Sequence, residues 1–168
     1  MGFAAAAALV FSSSVMAEFD MEKVYAGGGV GYNSLDSSGF DSALGFQFFG
    51  GYNLNDIVEI GDGIGLAAEV GYSMSGDFEV SNCPSGLGAF CTASSADGLW
   101  TSAVIDYGVT DEIKVLGRLG FDLGDDDGLI FGGGGEYKIN DQISARAEYV
   151  IHPNYKGFQL NGIYYLGE

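Results

Sequence analysis

Proline, cysteine, histidine and basic residues are all scarce in this chain: among 168 residues there are 2 Pro, 2 Cys, 1 His and 6 Lys or Arg. No stretch is apolar for long enough to cross a membrane as a helix. The one long apolar run, residues 3–11, falls well short of the roughly 20 residues such a span needs. The few basic residues stand against 23 acidic ones, and the formal charge of −17 excludes nucleic acid as a partner, because a polyanion would be repelled. That acidity does not exclude a membrane, where the placement of charge matters more than its sum. What the chain does have is 29 Gly, 10 Tyr and 12 Phe, a composition that favours one domain of many short strands over helices.

The clearest of those strands lie in residues 129–151, which read as a hairpin closed by the tight turn Asn140, Asp141 and Gln142. One face carries Leu129, Phe131, Tyr137, Ile139, Ile143, Tyr149 and Ile151 with Gly and Ala between them, and no charge. The other face carries Glu136, Lys138, Ser144, Arg146 and Glu148. A soluble sandwich with this pattern would have to bury both signs of charge. A sheet that is apolar outside and polar inside is instead the pattern of a transmembrane β-barrel, with lipid outside and ions in the lumen.

The turn recurs. Tyr52 to Asp56, Tyr107 to Asp111 and Tyr137 to Asp141 all read Tyr, any residue, branched aliphatic, Asn or Thr, Asp, and Tyr164 begins a partial fourth copy. If each copy ends a strand running one way, each needs a partner running back, which gives about eight strands. The spacing predicts them at 23–33, 43–54, 64–75, 99–109, 113–123, 129–139, 143–151 and 157–166. The fold expected is therefore all-β, an eight-stranded antiparallel up-and-down transmembrane barrel. Tyr52, Tyr107, Tyr137 and Tyr164 would form one aromatic girdle at a membrane interface. The connections should alternate short turns with longer loops, the short turns and both termini being periplasmic. Residues 55–63 break that rule and leave the register between Ile57 and Ile64 open.

Residues 1–17 read as a secretory signal peptide, with small residues before a cut at Ala17, and 18–168 as the barrel domain. A buried N-terminal helix is the alternative. An exported chain meets an oxidising compartment, so Cys83 and Cys91 are expected as a disulfide, which would stabilise their loop by about 2–3 kcal/mol. A metal site is the alternative, although two Cys without a nearby His make a poor ligand set.

A three-residue turn at 140–142 sets Glu136 opposite Arg146. The same reasoning places Arg118 beside Glu136 and sets Asp106 diagonal to Lys114 and Arg118, so Glu69, Asp106, Arg118, Glu136, Arg146 and Glu148 make a candidate charged plug. Mutual pairing in a narrow lumen is the favoured reading over a gated ion path, because eight strands leave little more than room for their own side chains. The glycine runs 27–31 and 132–135 lack the Lys-Ser/Thr and the helix of a phosphate loop, and read as strand glycines. His152 raises the possibility of a lipid hydrolase, but no Ser lies close in sequence. Asp125, Asp126 and Asp127 read as a solvated tip, with Ca²⁺ or an ion bridge to lipopolysaccharide as the alternative.

The export signal, the alternating strands, the repeated Tyr turns and the last strand at 160–166 together resemble the small outer-membrane β-barrel proteins of Gram-negative bacteria, such as the OmpA transmembrane domain and OmpX. That resemblance covers the mature chain. It implies a monomer in the outer membrane with a salt-bridged lumen, in contact with lipid and lipopolysaccharide and delivered by the barrel-assembly machinery. It further implies extracellular loops open to surface ligands and, as in most members, no enzyme activity; no cofactor is expected. The function expected is structural or surface-interacting, with a narrow porin-like channel and an outer-membrane lipid hydrolase as alternatives.

Overall fold

The computed structural model describes residues 20–36, 39–58, 60–80, 95–125 and 127–167; the expected signal peptide at 1–17 and the expected disulfide between Cys83 and Cys91 lie outside them. The strands are β1 (Val24–Leu35), β2 (Ala43–Asn53), β3 (Ile64–Met74), β4 (Asp97–Gly108), β5 (Ile113–Asp122), β6 (Gly128–Lys138), β7 (Ile143–Ile151) and β8 (Tyr155–Tyr165). Each pairs antiparallel with the next and β8 pairs back onto β1, so the sheet closes and no edge is left to seek a partner in lipid. The expected eight-stranded up-and-down barrel is the fold observed.

Side chains alternate between the wall and the lumen along every strand. Outward positions carry large apolar groups in the open, including Leu44 at 68 %, Phe46 at 59 % and Leu119 at 61 % exposure. Only Asp97 and Lys156, at strand ends, put an ionisable carboxylate or amine on this face among the eight strands. A wall of this kind would aggregate in water and is at rest in hydrocarbon, where a charge at mid-depth costs roughly 2–4 kcal/mol for Lys or Arg. Tyr52, Tyr107, Tyr137 and Tyr164 point outward at one end of the barrel. A second set that the turn motif does not reveal, Tyr32, Tyr72 and Tyr149, points outward near the other end, with Tyr72 stacked on Phe48 at 5.9 Å.

The connections explain the repeated motif. Thr110 Oγ1 accepts from the Glu112 and Ile113 amides, and Asn140 Oδ1 accepts from the Gln142 and Ile143 amides, so a short side chain caps each tight turn. Asn55 is the same residue of the β2–β3 copy. Its Oδ1 accepts from Leu66 N at 2.7 Å, so the motif closes normally and the intervening residues are an insertion. Asn53 stands opposite Ala67, which fixes the register the sequence left open. Length alternation therefore fails twice, at this insertion on the turn end and at residues 152–154 on the loop end, where His152 N donates to Tyr155 O across a tight connection.

Candidate functional site

The inward positions of β3, β5, β6 and β7 bring five ionised side chains together inside the barrel. Glu136 stands opposite Arg146 in the β6–β7 register, and Arg146 Nε and Nη2 each lie 2.9 Å from Glu136 Oε2. The Nη1 of the same guanidinium donates to Glu69 Oε1 at 2.6 Å. Arg118 grips Glu148 with two parallel bonds of 3.0 Å and donates to Ser102 Oγ at 3.3 Å. Its Nη2 also sits 2.8 Å from Glu69 Oε2, off the line of a hydrogen bond, so that contact is one of charge alone. Glu69 thus joins the two arginines into one cluster, in fork geometries that give charge-assisted bonds their strength.

Two arginines face three glutamates, and the surplus negative charge is met by phenols. Tyr25 donates to Glu69 Oε1 at 2.7 Å and Tyr165 donates to Glu136 Oε1 at 2.7 Å. Aromatic faces cover the cations: the Arg118 guanidinium carbon lies 4.7 Å from the Trp100 ring centre, and that of Arg146 lies 5.8 Å from Phe49. Tyr25, Tyr165 and Trp100 carry no charge and escape a search for ion pairs, yet they sit at inward positions of their strands.

Glycine makes the arrangement possible. Gly132 and Gly134 are the inward residues of β6 opposite Arg118 and Glu148, so the arginine of β5 reaches across a bare strand to the glutamate of β7. A Cβ at Gly134 would overlap the Ala147 carbonyl oxygen. The run is a close-approach feature, which fits the strand-glycine reading.

Two expectations need correction. Arg118 does not stand beside Glu136. Gly128 enters the ladder opposite Asp122 with φ of +152°, which draws β6 further along β5 than the apparent 124–128 loop suggests, so Lys114 faces Glu136 and Arg118 faces Gly132. Asp106 is diagonal to Lys114, as expected, and pairs with it at 3.5 Å near the turn-end rim, outside the Arg-Glu cluster.

Between β1, β2, β3 and β8 the lumen is lined by amides and hydroxyls. Gln47 Nε2 donates to Gln159 Oε1 and Asn161 Oδ1, and Asn33 Nδ2 donates to Ser75 O. Among the described residues three buried atoms here, Asn33 Oδ1, Ser73 Oγ and Asn161 Nδ2, have no partner. Phe78, fully buried, covers the loop end against Ala43 and Tyr155. Beside it His152 Nδ1 lies 2.9 Å from Asp122 Oδ2, its ring is stacked on Tyr155 at 4.1 Å, and among the described residues its Nε2 has no hydrogen-bond partner, a serine hydroxyl included. At the turn end the lumen opens into a cavity of about 280 Å³ between Glu22, Asp111, Lys114, Lys138, Ser144 and Tyr165. Of the acidic tip, Asp125 accepts from Asp97 N at 3.4 Å.

A family model for the outer membrane protein β-barrel domain matches residues 3–164. No curated protein matches the chain. Solved structures similar to it include Neisserial surface protein A at 18 % identity and TM-score 0.56, covering 84 % of this chain and 94 % of that one. The attachment invasion locus protein Ail of Yersinia pestis, in complex with the heparin analogue sucrose octasulfate, is similar at 15 % identity and TM-score 0.52, over 84 % of this chain and 95 % of that one. A de novo designed transmembrane β-barrel matches at 14 % identity and TM-score 0.55, over 87 % of this chain and 97 % of its own. At these identities the likeness is one of fold.

Proposed function

We propose, from the premise that this chain belongs to the outer membrane protein β-barrel domain family, that it is a closed, non-enzymatic monomer of the Gram-negative outer membrane acting through its loop end. The observation that carries the proposal is the filled lumen. Glu148, Glu69, Arg118, Asn161 and Trp100 are each at most 5 % exposed, so these side chains occupy the middle of the barrel. A lumen occupied by its own paired charges supports a structural or surface role over conduction.

The short turns and both ends of the barrel domain face the periplasm in this reading, and residues 1–17 are the export signal. The loop end then faces outward, with lipopolysaccharide around it and the barrel-assembly machinery as the route in. Charge constrains what that end binds. Of the 6 basic residues only Lys156 lies there, and it is paired to Asp36 at 2.8 Å. Asp41, Asp77, Glu79, Asp125 and Asp127 surround the same end. Ail was solved with a sulfated heparin analogue; the acidic loop end here disfavours such a ligand and favours neutral or cationic partners, or phosphates bridged by divalent ions. Planar-bilayer recording of the refolded protein is the test: no discrete current steps are expected, and steps whose size changes in Arg118→Ala would make it a channel.

A further inference from the structure

The insertion between β2 and β3 is the feature of the turn end that the lumen does not explain. The other two turns there, residues 109–112 and 139–142, are tight, and their tips are polar. The insertion carries Ile57, Val58 and Ile60, exposed at 66 %, 43 % and 45 %. An aqueous loop has no reason to hold three branched aliphatic side chains in the open.

Its place in the fold says what covers them. Leu54, just before it, continues the outward stripe of Leu44, Phe46, Phe48 and Tyr52 on β2. The amides of Ile57 and Val58 both donate to Leu54 O, winding one helical turn directly off that stripe. The returning limb lies along the girdle: Gly108 N donates to Gly63 O at 3.1 Å, and a Cβ at Gly63, where φ is +76°, would sit 3.5 Å from the Tyr107 ring. The loop is therefore continuous with the lipid-facing wall at the depth where Tyr52 and Tyr107 mark the interface. Asp56 is turned to Lys23, 2.9 Å away, so its charge is answered on the protein side.

We propose that the side chains of Ile57, Val58 and Ile60 form an apolar foot seated in the lipid headgroup layer at the turn end of the barrel. The partner is the lipid surface itself, and the foot acts as an interfacial anchor for the β2–β3 hairpin. Glu59 and Asp62 add negative charge to the sequence of the insertion, which makes zwitterionic lipid the better match than anionic lipid.

The inference rests on the membrane reading of the barrel, and the test separates the two. An environment-sensitive fluorophore is attached to Ile57→Cys in a Cys83→Ser/Cys91→Ser chain, refolded into phosphatidylcholine vesicles, and its quenching by lipid-borne and aqueous quenchers is compared. Phe48→Cys is the lipid reference and Asp141→Cys the aqueous one, and heat-modifiable migration verifies folding. Position 57 should be blue-shifted and quenched from the lipid as position 48 is, and less so when the vesicles contain phosphatidylglycerol. Quenching from water as at position 141, with position 48 still lipid-quenched, would overturn the foot and leave the surface to a periplasmic protein. A water-quenched position 48 would overturn the membrane reading itself. Ile60→Cys gives the same reading should Ile57→Cys refold poorly.

Discussion

The two halves of the lumen solve one packing problem with different chemistry. On the β3, β5, β6 and β7 side, Glu69, Arg118, Glu136, Arg146 and Glu148 form a cluster in which both guanidinium groups engage two carboxylates. On the β1, β2 and β8 side, Asn33, Gln47, Gln159 and Asn161 pair through neutral amides, and some atoms stay unpartnered. A buried amide atom left alone costs about 1–3 kcal/mol, so a few are tolerated. A buried charge left alone costs far more, which is why the ionic half is redundantly bonded and backed by Tyr25 and Tyr165. Order in the ionic half follows from that intolerance.

The largest expected effect therefore belongs to Arg146→Ala, which strands Glu136 and leaves Glu69 with one cation. It should destabilise the barrel by about 3–5 kcal/mol in urea titrations of the protein in phospholipid vesicles. If the loss were no greater than for an amide, the contrast between the halves would fail. Gln47→Leu comes next. It removes two neutral hydrogen bonds from the half that already tolerates unpartnered atoms, and should cost about 1 kcal/mol in the same titration. The smallest effect is expected outside the lumen altogether, at the exposed turn residue Asp141. Its hydrogen bond and ion pair with Lys138 hold the carboxyl below its ordinary value of 3.8. A lowered folded-state pKa contributes stability that is present above the unfolded value and lost as pH falls through the folded one. Asp141→Asn should thus leave the midpoint unchanged within error at pH 7, and any difference should vanish below the ordinary carboxylate range. A clear shift at neutral pH would mean that surface pairs matter here as lumen pairs do.

How much of this was legible in the sequence depends on what each feature needs. Period-two alternation needs only neighbours, so the charge-free stripe through Leu129, Phe131 and Tyr137 and its polar reverse face were readable at once. The capped turns at Thr110 and Asn140 fix pairing locally, and Glu136 faces Arg146 for that reason. Local spacing does not place Arg118, because its register passes through Gly128, whose positive φ lets it join the strand opposite Asp122 and moves the five-residue loop back by one position to 123–127. Asp106 followed Arg118 into the expected cluster, whereas its nearest cation is the rim residue Lys114. The phenols, the amide layer and Phe78 were not anticipated. Their side chains carry no charge, and a buried Phe in a connection leaves no periodic trace. Inward parity on β1 and β8 would have found Tyr25 and Tyr165.

The central claim is that Glu136 and Arg146 point inward and hold one another in the lumen. A double-mutant cycle of Glu136→Gln and Arg146→Met, followed by urea unfolding in vesicles, tests it most directly. The account predicts a coupling energy of about 1–3 kcal/mol between the two positions. Additive losses, with no coupling beyond ~0.5 kcal/mol, would contradict it.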